Sequence, residues 1–370
     1  MPVIPLDPQL MVIEWVYRAP QRFGVDYQTL RACALVCKAW TPVAQRLLFR
    51  RIPNTIGLTS TSTLPVEPLL LTLRANQRLA SFVRSIHIDI NSESNYLSDA
   101  AESLALLGLC ADVQHISLNC FSTSSTFTPT LEEHLRALPV SPVFFTLFAD
   151  VSIANRITSI WPSVHTLKIG GLYGDGLWEY GLHNPILVSV PPNVRSLSVH
   201  TDGSVDTDGV PWKFTSDCDL SELRELEMQL PLWRTEFSVN MLLASGVLPQ
   251  LRFLGVFGCI PTQDALDQLT QLHTLVFTDL YTRAVVLPGS LCNLAYHGLA
   301  YSELQPGYRD RTTPHMLDML GKAPALRRLT MPDGMSDGLR AKFDEVCANR
   351  GIEIVTFAGR RSYKRGVDVD

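Results

Sequence analysis

The 370-residue sequence contains no apolar run of the roughly 18 residues that a membrane-spanning helix requires. Even the apolar stretch at residues 104–109 is soon followed by Asp112. The first residues also lack the positive start, apolar middle and small-residue cleavage site of a secretory signal. These absences favour a protein that stays inside the cell, in the cytoplasm, the nucleus or both.

An excess of positive charge is missing as well, because the formal net charge is -5 and the pI is about 6.0. This charge argues against nucleic acid and anionic membranes as partners. Eight cysteines are scattered along the chain rather than closely spaced as in a disulfide framework, so we expect reduced thiols. Cys33 and Cys37 lie four residues apart, but no second ligand pair follows, which favours packing over metal binding. We expect neither a metal nor another cofactor.

Motifs of the common enzyme classes are not found. The glycine-rich run at residues 170–176 follows a predicted strand but matches no phosphate-binding fingerprint. His87 and Asp89 fall on the same side of one predicted strand without a third partner at a known spacing, which favours surface polar residues over a base or ligand pair. A metalloprotease helix motif and a nucleophile elbow are both missing. The sequence therefore favours a non-catalytic protein.

One short phrase recurs from residue 83 to residue 331. The phrase has six positions. The first is aliphatic, the second is usually Arg, His or Gln, the fourth is Leu or Ile and the sixth is apolar, while the third and fifth can be any residue. The spacing of the copies is near that of leucine-rich repeats but irregular. The copies are VRSIHI from Val83, VQHISL from Val113, VHTLKI from Val164, VRSLSV from Val194, LRELEM from Leu223, LRFLGV from Leu251, LHTLVF from Leu272, LCNLAY from Leu291 and LRRLTM from Leu326, with VFFTLF from Val143 as a degenerate copy.

Each copy has the alternation of a strand with one buried face, since Leu197 and Val199 would point one way and Ser196 and Ser198 the other. A single strand cannot bury such a face alone, so we expect the copies to lie side by side in one parallel sheet. Two outward columns would then run across the strands. The first column is Ser85, His115, Thr166, Ser196, Glu225, Phe253, Thr274, Asn293 and Arg328, and the second is His87, Ser117, Lys168, Ser198, Glu227, Gly255, Val276, Ala295 and Thr330.

Between the copies, residues 237–245, 262–269 and 313–320 have helix-like spacing, and Thr262 is a plausible helix cap. An ordinary doubly wound sheet also predicts alternating strands and helices, but it predicts no recurring phrase. We therefore expect an α/β fold in which an irregular leucine-rich-repeat solenoid has its parallel sheet on the concave side and helices and loops outside.

Residues 6–49 show helix-like apolar spacing without the phrase, as at Leu10, Ile13 and Val16. Further helices are expected over residues 30–37 and 42–49, with Thr41 as a cap and Pro42 in the first turn. Three short helices make a core that is marginal alone. Such a unit is expected to gain stability from a partner surface.

The segments LDPQLMVIEWV from Leu6 and TLRACALVCKAWTPVAQRLLFRRI from Thr29 resemble an F-box. That pattern opens with Leu-Pro, contains Val-Cys-Lys/Arg-x-Trp, here residues 36–40, and ends near a Leu-Phe pair. In this chain the opening is displaced as Leu6-Asp7-Pro8, and residues 18–26 form a longer connection than is usual. The segment PLLLTLRANQRLASFVRSIHI from Pro68 is similar to the join between F-box and repeats in a large class of fungal F-box proteins.

The resemblance implies the non-catalytic substrate-recognition subunit of an SCF-type (Skp1-cullin-F-box) ubiquitin ligase. Its helices would bind a Skp1-like adaptor and, through it, a cullin, and its repeats would bind a protein substrate. About half of the implied adaptor-binding residues are expected to pack inside the helices instead. The implied residues are Leu6, Pro8, Leu10, Leu30, Leu35, Val36, Cys37, Trp40, Leu47 and Phe49.

The candidate substrate surface is the outward face of the predicted sheet. Phe253, Phe257 and Val276 would either form a binding patch there or be covered by a loop or the C-terminal tail. Glu225 and Glu227 would either select a basic partner or remain solvated. The candidate substrate-binding residues are His87, His115, Lys168, His200, Glu225, Glu227, Phe253, Phe257, Asn293 and Arg328.

The expected domains are an F-box-like region at residues 1–52, a linker with a capping helix at 53–80, the repeats at 81–358 and a flexible tail at 359–370. Two other functions remain open. One is a leucine-rich-repeat scaffold or signalling adaptor, in which the N-terminal helices only cap the repeats. The other is an α/β hydrolase-like enzyme.

Overall fold

The computed structural model describes fifteen stretches of the chain. They are residues 11–15, 17, 27–52, 66–90, 104–120, 129–149, 151–170, 186–200, 212–215, 218–229, 246–257, 261–277, 285–296, 308–333 and 337–357. The helix predicted at residues 237–245 and the tail predicted at 359–370 lie outside these stretches.

The described strands pair in parallel, and described helices lie between several of them along the chain, so the fold is α/β. Twelve strands follow one another in a single parallel sheet, and two short strands pair separately. The chain divides into two compact units, Met1–His165 and Thr166–Asp370. This division falls inside the predicted repeat region, and each unit is described below by itself.

In the first unit, residues 11–15, 17 and 104–109 are also helical. The elements of this unit are α1 (Tyr27–Val36), α2 (Thr41–Arg50), β1 (Arg51–Ile52), α3 (Val66–Ala75), α4 (Gln77–Ala80), β2 (Ser85–Ile90), β3 (His115–Cys120), α5 (Pro129–Ala137), β4 (Phe144–Phe148) and α6 (Val151–Thr158). Strands β1 to β4 pair in chain order, and every pair is parallel.

The second unit continues with the same kind of strand. Its elements are β5 (Thr166–Gly170), β6 (Ile186–Val188), β7 (Ser196–His200), β8 (Trp212–Phe214), β9 (Glu225–Gln229), a 3₁₀ turn (Leu248–Gln250), β10 (Phe253–Phe257), α7 (Gln263–Gln268), β11 (Thr274–Phe277), β12 (Asn293–Tyr296), α8 (Tyr308–Lys322), β13 (Arg328–Pro332), α9 (Asp337–Arg350) and β14 (Glu353–Phe357). Strand β6 pairs with β8, while β5, β7 and β9 to β14 pair in that order.

Each copy of the phrase forms one strand, which confirms the prediction that the copies are neighbouring parallel strands within each unit. Ser85 is in register with His115 in the first unit. In the second unit the first column continues without a shift from Thr166 to Arg328. The degenerate copy adds β4, whose Phe144 is in register with His115.

The core lies beneath the apolar positions of the phrase. Ile86 and Ile116 are completely buried in the first unit, as are Leu226, Leu254 and Leu275 in the second. These residues occupy equivalent positions in adjacent strands, so each strand covers the apolar face of its neighbour. Stacking of this kind explains why one strand alone would be unstable.

Four strands were not predicted from the phrase: β1, β6, β8 and β14. Helices α7 and α8 agree with the predictions at 262–269 and 313–320. Thr262 does precede α7, but its hydroxyl makes no capping hydrogen bond. Across the described part of the chain, no helix is both long enough and apolar enough to cross a membrane.

Candidate functional site

The N-terminal helices enclose a small apolar core of their own. Its buried residues come from all three helical segments, and partly buried residues close its margins. The buried residues are Ile13, Leu30, Cys33, Ala44 and Leu47, and the partly buried ones are Tyr17, Ala34, Trp40, Val43 and Leu48. The spacing of three and four that predicted these helices therefore marks their inward faces.

Polar contacts fix the geometry of this cluster. The Thr41 hydroxyl donates to the Ala34 carbonyl at 2.8 Å and lies 3.1 Å from the Cys37 carbonyl, so it joins the end of α1 to the start of α2. The residue at the cap position of α2 is Trp40, so the predicted cap role of Thr41 is wrong. On the outside, the Arg46 guanidinium is 2.9 Å from the Glu14 carboxylate.

The cluster is also joined to the first strand of the sheet. Strand β1 follows α2 directly, and the Tyr27 hydroxyl donates to the Arg51 carbonyl at 3.2 Å. The Arg50 guanidinium lies 5.8 Å from the centroid of the Tyr17 ring, within the range of a cation–π contact. Burial raises the pKa of both Tyr17 and Tyr27, so both phenols stay neutral at physiological pH.

Large apolar side chains remain exposed on these helices. Leu35 is 86% exposed and Trp15 is 68% exposed, and Met11, Val12 and Val36 are exposed as well. Met11 and Trp15 are four residues apart in one helical segment and therefore share a helix face. Single exposed apolar residues are ordinary, but five of them on two short helical segments mark a candidate interaction surface. We call these five residues, three in the segment 11–15 and two on α1, the exposed apolar face.

The predicted adaptor-binding residues separate into three groups. Leu35, Val36 and Cys37 are exposed, whereas Leu30 and Leu47 are buried in the helical core. Trp40 and Phe49 are partly buried, and Trp40 packs against that core. Leu6, Pro8 and Leu10 lie outside the described residues. Leu30 and Leu47 therefore serve internal packing and are not available for contact with a partner.

Three members of the exposed apolar face were not selected from the sequence: Met11, Val12 and Trp15. They stand in the same segment as Ile13, whose spacing marks the inward face. The sequence did contain a signal for them, because they form a second apolar stripe on the other side of this helix. A helix that is apolar on two sides needs a second surface to cover it.

In the first unit the outward face of the sheet is polar on β2 and β3, whereas β4 has Thr146 between Phe144 and Phe148. The two ring nitrogens of His115 lie 3.3 Å from the Ser85 hydroxyl and 3.1 Å from the Thr146 hydroxyl. His87 Nε2 lies 3.1 Å from Asn119 Nδ2. These bonds hold the predicted residues His87 and His115 in fixed orientations across β2, β3 and β4.

In the second unit, Lys168 and Arg328 are exposed, and Glu225, Glu227, His200 and Asn293 are partly exposed. The side chain of Phe257, another predicted substrate-binding residue, lies outside the described part of the structure. Phe253 is only 8% exposed and packs with Val276 and Ala295, which are also buried. Phe253 and Val276 therefore present no exposed patch. The local alternation placed them on the outward face correctly but could not predict their burial.

Ser198, His200 and Glu227 bring a hydroxyl, an imidazole and a carboxylate together. The Ser198 hydroxyl lies 2.6 Å from His200 Nε2, and a Glu227 carboxylate oxygen lies 3.4 Å from the same nitrogen. A nucleophile–base–acid relay needs the hydroxyl and the carboxylate on opposite ring nitrogens. This arrangement therefore lacks the geometry of a hydrolase triad.

Two buried cysteines outside the sheet face have thiols with raised pKa values. Burial raises the pKa of the Cys110 thiol to about 12 and that of Cys347 to about 11, so both remain protonated. The stretches that the structure describes contain no group of three or more His, Cys, Asp or Glu side chains arranged for a metal ion.

A comparison with protein families finds no family model that matches this chain, and a comparison with curated proteins finds no similar sequence.

Proposed function

We propose that this chain is the substrate-recognition subunit of an SCF-type ubiquitin ligase. Residues 1–52 would form an F-box that binds a Skp1-like adaptor, and the parallel sheet would belong to an irregular leucine-rich-repeat solenoid that binds a protein substrate. The chain itself would perform no chemistry. It would hold a substrate lysine near the conjugating enzyme that the cullin carries, so the rate would rise through effective concentration.

The location of the exposed apolar side chains carries this proposal. Among the described residues, eight large apolar side chains are exposed, and five of them are the exposed apolar face. The core beneath that face is already closed by Ile13, Leu30 and Leu47. The face is therefore surplus to the folding of the cluster, and burial against a partner would remove it from water.

The positive charge of the N-terminal helices also supports adaptor binding. The described residues between 11 and 52 include five cations, Arg31, Lys38, Arg46, Arg50 and Arg51, and one carboxylate, Glu14. The whole chain has a net charge of -5, so positive charge is concentrated in this region. A complementary adaptor surface would offer an apolar pocket with an acidic rim.

A scaffold in which the helices only cap the sheet is the second candidate. It is favoured by the direct passage from α2 into β1 and by the pairing of β1 with β2. Capping alone gives no role to side chains that point to solvent at Leu35 and Trp15. Adaptor binding therefore distinguishes the two functions.

The test is the dissociation constant between the full chain and a Skp1-like adaptor, measured by calorimetry. The double variant Leu35→Ala/Val36→Ala removes exposed side chains and leaves the buried core intact. We expect affinity to fall at least tenfold, as for truncation of central interface residues. Leu71→Ala, exposed on α3, is the matched control and should bind as the native chain does.

Two results would contradict the proposal. One is a native chain that does not bind the adaptor at micromolar concentration. The other is a double variant that binds as tightly as the native chain. Either result would leave the capping scaffold as the better account. Unfolding curves of both variants should match that of the native chain, because exposed apolar residues contribute little to stability.

A further inference from the structure

The second residue of each phrase lies at the start of its strand, where successive copies form a main-chain ladder in the second unit. The Arg252 amide donates to the Arg224 carbonyl at 2.7 Å, and the His273 amide donates to the Arg252 carbonyl at 2.9 Å. Cys292 continues the ladder, and the Arg327 amide donates to its carbonyl at 2.8 Å. These residues therefore stand on consecutive strands, about 4.8 Å apart.

Some arginines of this ladder are used by the fold. Arg224 Nη1 donates to the Ser221 carbonyl at 2.6 Å and to the Leu223 carbonyl at 3.1 Å, so its guanidinium caps its own turn. The Arg195 guanidinium lies 3.8 Å from the Glu222 carboxylate. Neither group is available to bind a ligand without giving up a contact.

Arg252 and Arg327 differ from these two. Both side chains are exposed, and within the described stretches neither guanidinium forms an ion pair or a hydrogen bond. They are separated by three strand intervals, which corresponds to about 14 Å. His273, between them, is exposed as well. We call Arg252, His273 and Arg327 the basic edge.

Two carboxylates of the same unit are paired with other cations. Glu353 lies 2.9 Å from the Arg328 guanidinium, and Asp318 lies 2.7 Å from the Lys322 ammonium. The Arg350 guanidinium donates to the Gly321 and Ala323 carbonyls of the turn before β13. Arg252 and Arg327 therefore each carry a positive charge that no ion pair within the described stretches neutralises.

We propose that the basic edge binds an extended acidic peptide segment of a protein partner. In an extended peptide, residues i and i+4 lie on the same face about 13 Å apart, which matches the separation of Arg252 and Arg327. Each guanidinium can donate two parallel hydrogen bonds to a carboxylate. This interaction goes beyond adaptor binding and does not require it.

The test uses the full chain and a fluorescein-labelled decapeptide of alternating Glu and Ser, with binding followed by fluorescence anisotropy. We expect the double variant Arg252→Gln/Arg327→Gln to bind about fivefold to tenfold more weakly, the effect of losing two exposed ion pairs. Arg340→Gln, on α9 and paired with Asp344 in the same unit, should leave the affinity unchanged. Binding should weaken as salt is raised.

Three outcomes would overturn the proposal. The first is equal binding by the double variant, and the second is equal binding of a Gln and Ser decapeptide. The third is tighter binding of a single-stranded oligonucleotide with the same number of charges, which would indicate nucleic acid instead. Calorimetry with the adaptor on the same variants should show unchanged affinity, so failure at the basic edge is separable from failure of the F-box proposal.

Discussion

At the scale of single residues, the exposed apolar face depends on a residue that is not part of it, Thr41. Leu35 and Val36 end α1, and the Thr41 hydroxyl bonds to carbonyls at that end. Its place in the sequence suggested a cap for the following helix. In the structure Trp40 occupies that cap position, and the Thr41 hydroxyl bonds to the carbonyls of Ala34 and Cys37 instead.

Replacement of Thr41 by Val tests this contact. Val keeps the shape of the side chain but leaves the Ala34 carbonyl without the hydroxyl donor, so we expect about 1 kcal/mol less stability. The measurement is the free energy of unfolding from urea titration. Thr41→Ser retains the hydroxyl and should lose less than half as much. Equal losses in the two variants would show that the methyl group, not the hydrogen bond, is responsible.

Gly255 provides a second test at this scale. A Cβ atom there would lie 3.2 Å from Glu227 Cγ and 3.3 Å from Phe253 Cε1. Gly255→Ala should therefore displace the Glu227 side chain and destabilise the protein by about 1 kcal/mol, as overpacking does. Gly289 has open space around its Cβ position, so Gly289→Ala should be neutral or slightly stabilising. Thermal unfolding of both variants decides between these expectations.

At the scale of elements, the frequent arginine of the phrase has a structural cause. Arg84 repeats what Arg224 does: its Nη1 donates to the Ser81 carbonyl at 2.8 Å, three residues back in the chain, and to the Val83 carbonyl at 3.3 Å. The same guanidinium lies 3.4 Å from the Asp112 carboxylate in the turn before the next strand. Arg195 and Glu222 repeat this second contact. Part of the sequence pattern therefore encodes turn capping and attachment of one repeat to the next.

Helices α5 and α6 are linked through one carboxylate. Glu132 is 2.8 Å from Arg136 and 2.9 Å from Arg156, and hydrogen bonds from these two guanidinium groups lower its pKa. A lowered pKa means that the ionised form stabilises the folded state. This contribution is complete above the ordinary Glu value of about 4.3 and is lost as pH falls through the lowered one.

Glu132→Gln should therefore reduce the melting temperature at pH 7 and have little effect near pH 3. The loss should not exceed about 1 kcal/mol, because solvent screens the partly exposed arginines. Glu133→Gln, at the exposed neighbouring position, is the control and should have no effect at either pH. A difference between native and variant that persists unchanged at pH 3 would contradict the ion-pair explanation.

The phrase predicted the strands that carry it, together with their register, because alternation and repetition are both visible in the chain. It could not predict β14, because in register with the copy from Leu326 that segment has Gly351 at the aliphatic position and Thr356 at the final apolar position. Strand β1 was missed because it has only two residues and continues directly from a helix. Elements at the ends of an array follow different rules, since they have a neighbour on one side only.

At the scale of the whole molecule, the candidate sites were only partly predictable. The resemblance selected Leu35 and Val36, which are exposed, but it could not separate them from Leu30, which faces inward. Exposure depends on which faces the rest of the chain covers. The same limit applies to Phe253, whose position in the alternation is outward although tertiary contacts bury it.

A stacked array predicts a graded response to damage in its interior. Leu226→Ala removes a completely buried side chain between Leu197 and Leu254 and should cost about 2–5 kcal/mol. Hydrogen exchange should show the largest loss of protection in β7, β9 and β10. Val286→Ala, exposed in the same unit, should change neither quantity. Loss of protection that is uniform along the chain would contradict this expectation.

The unshifted register of the second unit also bears on how such a chain can change in length. Each strand from β9 to β13 presents its neighbour with an inward leucine at the same position, at Leu226, Leu254, Leu275, Leu294 and Leu329. Duplication or loss of one phrase, with its connecting segment, would restore an equivalent junction on both sides. The number of copies is therefore free to drift in evolution, whereas the helices that precede them and the strand that closes them are each needed once.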